Sequence, residues 1–210
     1  MDDDFVRDLS FGDIEVRIHQ EGVGDVNCVV WDSSLVCCYY FAKWRHSFKK
    51  PCKVLELGAG TAVCSVALAA MGCDVVATDL PACLPLIERN IFANLEAIQK
   101  AGGSCVAKAL DWNESFEERT PCDLLLLVDC IYYNDSIDPL IRTIRSIDVK
   151  RILCSYEIRN SGQPVEAQKF FMERIKEHFD LHHVVETDLD DEFQSPDIVL
   201  MELVPKGDSV

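Results

Sequence analysis

Basic residues are scarce in this chain: 20 Lys and Arg stand against 36 Asp and Glu, a formal charge of −16 over 210 residues. That sign is wrong for neutralising nucleic-acid phosphates or for lying on an anionic bilayer, so a charged partner is expected to be basic. Long apolar runs are absent too. The densest, Leu124 to Val128, is far short of the roughly 20 residues of a membrane helix. The opening MDDDFVRDLS has neither the basic flank nor the apolar stretch of a signal peptide. None of the eleven cysteines stands at C-x-x-C spacing and their number is odd, so they read as reduced core thiols, neither disulfides nor metal ligands. A soluble cytoplasmic protein is expected, without metal, membrane or nucleic acid. Repeats, low-complexity tracts and Pro/Gly/Ser linkers are missing as well, which leaves one domain over 1–210.

What is present is alternation. Ile14, Val16 and Ile18 alternate as in a strand that can form a hairpin with the segment around Phe5, and Asp32 or Ser33 can cap a helix running to about Trp44. Residues 1–50 thus read as a strand and helix entry module. From Lys53 onward, strands at 54–57, 74–78, 105–110, 124–128 and 151–155 are interleaved with helices at 62–71, 84–99 and 139–147. Strands apolar throughout, separated by helices, indicate a parallel sheet covered on both faces, a doubly wound α/β fold. After a helix over 165–178, the runs 181–185 and 198–204 are joined only by a loop, which predicts an antiparallel pair at the sheet edge.

The residues with chemistry cluster at predicted strand ends. In V-L-E-L-G-A-G-T, Val54 to Thr61, a buried strand enters a glycine turn, and Gly58 and Gly60 let a ligand lie close above the backbone. Val63 stands where a dinucleotide fingerprint needs its third glycine, and Glu56 places an anion before the turn, which suits a cationic ligand better than a pyrophosphate. Asp79 ends the next strand, where an acid accepts from ribose hydroxyls. Asp111 and Trp112 follow the third strand, where a carboxylate can accept from an amino group and an indole can stack on adenine, or else they are a turn aspartate and a packing tryptophan. Asp129 closes the fourth strand with Tyr132 three residues on; the plain alternative is a helix cap and a packing ring. Acids and aromatics at four successive strand ends belong to one crevice.

With these residues the chain resembles the seven-strand protein-lysine methyltransferases that carry a D/E-x-x-Y motif, here Asp129-Cys130-Ile131-Tyr132. The similarity runs through G-V-G-D-V-N-C-V-V-W-D-S-S (22–34), V-L-E-L-G-A-G-T, D-V-V-A-T-D-L (74–80), Y-E-I-R (156–159) and D-E-F-Q-S-P-D-I (191–198). Within that family it is nearest the branch acting on the valosin-containing protein, a AAA ATPase. The resemblance implies a Rossmann-like seven-stranded sheet with a terminal antiparallel hairpin, S-adenosylmethionine as cofactor and a protein substrate offering a lysine. It places Gly58, Ala59 and Gly60 under the methionine part, Asp79 on the ribose, Trp112 beside the adenine and Trp31 over the methionine end. Val128 contributes backbone next to Asp129, and Asp129 with Tyr132 holds the target amine. Ala62 departs from the glycine common in the family, which implies a stiffer turn or lower cofactor affinity.

Two rival classes stay in view. A nucleotide-dependent oxidoreductase is opposed by Val63 and Glu56, and a silent interaction module by the presence of both Asp129 and Tyr132. A chaperone or an elongation factor is the alternative substrate. The acidic stretch Glu186 to Glu192 is either a dock for a basic substrate surface or a solvated loop, and Glu157 and Arg159 either face substrate or pair with each other.

Overall fold

The computed structural model describes residues 4–21, 28–48, 50–114 and 121–207; the first part of the 22–34 segment, residues 22–27, lies outside them. The chain opens with the hairpin β1 (Asp4–Phe11) and β2 (Ile14–Glu21), then α1 (Asp32–Trp44). The main fold follows as β3 (Lys53–Leu57), α2 (Val63–Ala70), β4 (Asp74–Asp79), α3 (Leu84–Ala93), α4 (Leu95–Ala101) and β5 (Ser104–Ala109). It continues through β6 (Cys122–Val128), α5 (Asn134–Ser146), β7 (Val149–Glu157), α6 (Gln163–Ile175), β8 (Phe179–His183) and β9 (Ile198–Pro205).

The seven-stranded sheet has the order β5-β4-β3-β6-β7-β9-β8. Strands β3 to β7 pair in parallel, and β9 inserts antiparallel between β7 and β8, so the terminal hairpin forms at the edge as expected. The order reverses between β3 and β6. A crevice opens at such a switch point, beyond the carboxyl ends of the strands.

Alternation along the central strands divides the core into two layers. Val54, Leu124, Leu126 and Val128 face the side covered by α1, α2 and α4, while Leu55, Leu57, Leu125 and Leu127 face α5 and α6. Phe11, Val16 and Ile18 of the hairpin join the first layer, fully or nearly fully buried. Each such side chain contributes about 1.5–3 kcal/mol by leaving water.

Three sequence expectations are corrected. The expected helix over 84–99 is two helices broken at Asn94, because Asn90 and Asn94 act as backbone mimics for the free edge of β2. Asn94 accepts from the Arg17 N–H at 2.8 Å and donates to its carbonyl at 2.8 Å, and Asn90 does the same with His19 at 2.7 and 3.0 Å. This clasp satisfies the strand edge left unpaired by β1, and it adds to the buried Phe11, Val16 and Ile18 in tying the hairpin to the sheet domain. Neither Asp32 nor Ser33 caps α1: Trp31 holds the N-cap position with extended backbone and no side-chain cap bond. The α5 helix begins at Asn134, leaving Pro139 inside it, because Ile137, Leu140, Ile141 and Ile144 form a buried stripe that outweighs the lost hydrogen bond.

Candidate active site

A cavity of about 400 Å³ lies at the carboxyl ends of β3, β4, β6 and β7, within the range of small-ligand sites. Trp31, Gly58, Ala59, Gly60, Asp79, Asp111, Trp112, Val128, Asp129 and Tyr132 all line it, although they come from five separate stretches of chain. Glu56 does not.

The glycine turn is shaped by backbone geometry. Gly58 has φ of +68°, and a Cβ added there would lie 3.0 Å from Cys130 Cβ and 3.3 Å from the Trp112 ring. Trp112 is therefore packed onto the turn and held over the cavity wall. Asp79 fastens the same turn from the neighbouring strand: Gly60 N–H donates to one carboxylate oxygen at 2.8 Å and Leu80 N–H to the other at 2.7 Å. Each oxygen keeps a further lone pair for a ligand hydroxyl. Ala62, at the N-cap of α2, takes the left-handed conformation (φ 58°, ψ 26°), which explains physically why glycine is the easier residue there.

Glu56 works beneath the turn. Its carboxylate is buried, accepts from the Ser65 hydroxyl and is also stabilised by the Ser65 backbone N–H in the first turn of α2. Since Ala62 supplies no side-chain cap, this acid from the adjacent strand satisfies orphan donors at the start of α2. Burial pushes its carboxyl up to about 7, against the lowering effect of Ser65 and with a small further push from Asp79.

Opposite the turn the wall is made of side chains. Asp129 sits in left-handed backbone (φ 51°), a conformation Asp tolerates, and its N–H bonds to the Ser155 carbonyl at 2.8 Å. Its carboxylate accepts from Glu157 N–H at 3.3 Å and from Arg159 at 3.2 Å. Burial pushes the Asp129 carboxyl above the usual range, against the pull of the Glu157 N–H and the Arg159 charge. Arg159 also pairs with Glu157 at 2.9 Å and lies over the Trp31 ring at 5.0 Å. The expected Glu157–Arg159 pair is thus present, and its extension to Asp129 and Trp31 was not foreseen. Tyr132 meets Tyr133 edge-on at 4.6 Å. Asp111 spends one oxygen on the Asn113 N–H and side-chain amide, at 2.9 and 3.0 Å, and so forms a local turn at the rim.

The acidic stretch lies elsewhere. Lys43 donates to the Thr187 carbonyl at 3.1 Å, Trp44 donates to the Asp188 carbonyl at 2.8 Å, and Tyr39 stacks on Phe193 at 3.7 Å. The loop is bound to the far end of α1, some ~18 Å along the helix from Trp31 at 1.5 Å per residue. Among the described residues no group of three or more His, Cys, Asp and Glu could hold a metal ion, and no helix is long and apolar enough to cross a membrane.

Comparison with known proteins agrees with this geometry. Residues 10–178 match the lysine methyltransferase family. The mouse protein-lysine methyltransferase METTL21E is 28% identical over 180 residues, covering 83% of this chain and 71% of its own length. EEF1A lysine methyltransferase 3 of Xenopus tropicalis is 33% identical over 138 residues, covering 65% of this chain and 60% of its own length. The chain therefore spans less than two thirds of some of these relatives. A TehB-like SAM-dependent methyltransferase from Corynebacterium glutamicum shares the fold, with TM-score 0.56 at 14% identity over 85% of this chain and 89% of that one. The switch-point cavity, the glycine turn and the family match together place this chain in the lysine methyltransferase family.

Proposed function

We propose that this chain is an S-adenosylmethionine-dependent protein-lysine N-methyltransferase, one 1–210 domain acting in the cytoplasm, with a valosin-containing AAA ATPase as substrate. The observation that carries the reading is the cavity itself, which joins a glycine turn and a ribose-type acid on one side to a largely buried carboxylate with aromatic faces on the other. The substrate assignment rests on the sequence resemblance at Tyr156 to Arg159 and Asp191 to Ile198. Elongation factor 1A is the second reading, favoured by the frog relative.

The lining fits the cofactor. Gly58, Ala59 and Gly60 offer close backbone approach, the Asp79 oxygens would accept from the ribose hydroxyls, Trp112 and Asp111 would hold the adenine, and Trp31 and Val128 would hold the methionine end. Glu56 supports this half through α2 without touching the ligand. When bound, S-adenosylmethionine supplies a methyl group on a sulfonium cation. The chain must then present a neutral lysine amine, although free lysine with a pKa of about 10.4 is charged at pH 7. Enclosure of the cavity disfavours the charged amine, while Asp129 and the faces of Tyr132 and Trp31 orient the nitrogen. Asp129 acts by position and charge, its two oxygens being engaged by the Glu157 N–H and by Arg159.

The test is transfer of labelled methyl from S-adenosylmethionine to purified valosin-containing AAA ATPase and, separately, to elongation factor 1A, with the labelled residue mapped by mass spectrometry. Label on a lysine of the ATPase is expected. Label on the elongation factor alone moves the substrate to the second reading, and a folded chain that labels no protein, or labels RNA, overturns the protein-lysine reading.

A further inference from the structure

Three carboxylates line the cavity, Asp79, Asp111 and Asp129, and among the described lining residues Arg159 is the one cation. A buried carboxylate facing a lysine side chain carries a liability: an opposite charge stabilises the ammonium form, which has no lone pair to give. Arg159 stands where it offsets that effect. Its guanidinium meets Asp129 at 3.2 Å and Glu157 at 2.9 Å and lies 5.0 Å from the centre of the Trp31 ring. Its backbone is fixed as well, because Arg159 N–H donates to the Gln168 side chain at 3.2 Å and Gln168 donates to the Glu157 carbonyl at 2.6 Å. A planar fork that never loses its charge suits this task better than an ammonium does.

We propose that Arg159 is the charge-balancing, positioning residue of the acceptor site: it holds Asp129 and Trp31 as one unit, so that the carboxylate orients a lysine amine without locking it as ammonium. The proposal rests on the methyltransferase reading above. The groups facing Asp129 bear on the sign. Asp79 and Asp111 at the ends of β4 and β5 add negative charge, Glu157 at the end of β7 pairs with the guanidinium, and Tyr132 and Tyr133 after β6 are phenols. From α1, α5 and α6 the lining residues are the uncharged Ser34, Ser136, Pro139, Gln163, Pro164 and Gln168. Without Arg159 the charged side chains among the described lining residues are carboxylates alone. The lysine proton leaves to solvent before transfer.

The experiment is single-turnover methylation of purified valosin-containing AAA ATPase at saturating S-adenosylmethionine, followed over pH. Arg159→Gln is expected to move the rising limb of the profile to higher pH by about one unit, with a rate about tenfold lower near neutrality that recovers in alkali. Arg159→Lys should keep the limb near its parent position. Glu157→Gln removes an anion and should move the limb the other way, a pair of opposite shifts that mere loosening of the loop cannot produce. A uniform loss at every pH in Arg159→Gln, or a faster reaction near neutrality that would make the arginine a plug, overturns the proposal. If Arg159→Gln fails to fold, an unmoved limb in Glu157→Gln overturns it equally. Titration of the Asp129 carboxyl by NMR in the cofactor-free chain reads the same balance without turnover: Arg159→Gln should raise its midpoint, and an unchanged midpoint rejects the role. A parent chain that methylates neither protein defeats the functional reading, and the NMR comparison still decides the arginine.

Discussion

Around the glycine turn the cavity wall is backbone, with Gly58, Gly60 and Ala62 in left-handed conformations and Asp79 bonded to main-chain N–H groups. Across the cavity, at the ends of β6 and β7, the wall is a charged network in which Asp129, Glu157 and Arg159 share hydrogen bonds and Trp31 takes the guanidinium on its face. Backbone geometry can hold any ligand of the right shape, so the first half is common to cofactor users with different substrates. A side-chain network sets charge and direction, so the proposed reading assigns chemical selectivity for the acceptor to the second.

The largest effect expected from breaking this contrast concerns Glu56, which supports the first half from below. Its folded carboxyl titrates near 7 against an ordinary value of 4.5. Between those values the folded state holds the extra proton, so this group's stabilisation is complete below about pH 4.5 and is lost as pH rises through about 7. Glu56→Gln keeps an acceptor for Ser65 and removes the charge. Above neutrality the variant should be more stable than the parent by about 3 kcal/mol, at about 1.4 kcal/mol per pH unit. Urea unfolding at acid and alkaline pH checks it; an identical pH slope in both proteins would remove Glu56 as the cause.

Next in size is Asp129→Asn, which retains the left-handed backbone and the shape of the side chain while removing its charge. Single-turnover transfer should fall about a hundredfold, roughly 2.7 kcal/mol, with cofactor affinity by calorimetry little changed. Transfer at the parent rate would reduce Asp129 to a structural role. Gly58→Ala probes the opposite half: a methyl 3.0 Å from Cys130 Cβ and 3.3 Å from Trp112, at φ +68°, must displace the indole. Cofactor affinity should weaken about tenfold, roughly 1.4 kcal/mol, while the KM for the protein substrate holds. A rise in that KM with unchanged cofactor binding would show that the two halves do not divide the work in this way.

The same contrast governs what can be read from the sequence. The parallel strands were legible because each is apolar along its whole length, and the glycine turn because its residues are contiguous. Asp129, Tyr132, Asp79 and Trp112 were located by their places at strand ends. The Arg159–Asp129 bond was not, since it joins residues 30 apart, just beyond the ends of neighbouring strands, with no spacing rule behind it. Glu56 was read as facing a cation because the charge is visible in the sequence and its partner, Ser65 on the next helix, is not. Asn90 and Asn94 look like ordinary polar positions on a helix until β2 is beside them, and their bonds to Arg17 and His19 then account for the break in the expected long helix. In each case the missing information is a tertiary partner that satisfies a buried polar group.

The smallest effect expected is at Ala62, and it decides how far the backbone half is strained. Left-handed backbone costs an L-residue about 1–2 kcal/mol, which Ala62→Gly would relieve. Against this, the alanine methyl is fully buried, and glycine gives up that contact, about 0.8 kcal/mol, and loses about 0.5–1 kcal/mol more on ordering. These terms nearly cancel, so thermal and urea midpoints should move by less than the equivalent of about 1 kcal/mol. Cofactor affinity should stay within about twofold, because Gly58, Gly60 and the Asp79 bonds that shape the turn are untouched. Ala62→Val tests the other direction, adding a branched side chain where φ is +58° and no space is left, and it should destabilise clearly. If Ala62→Gly instead tightens S-adenosylmethionine tenfold with no gain in stability, the alanine is holding the turn away from its ligand-bound shape, and the backbone half is less preorganised than its hydrogen bonds suggest.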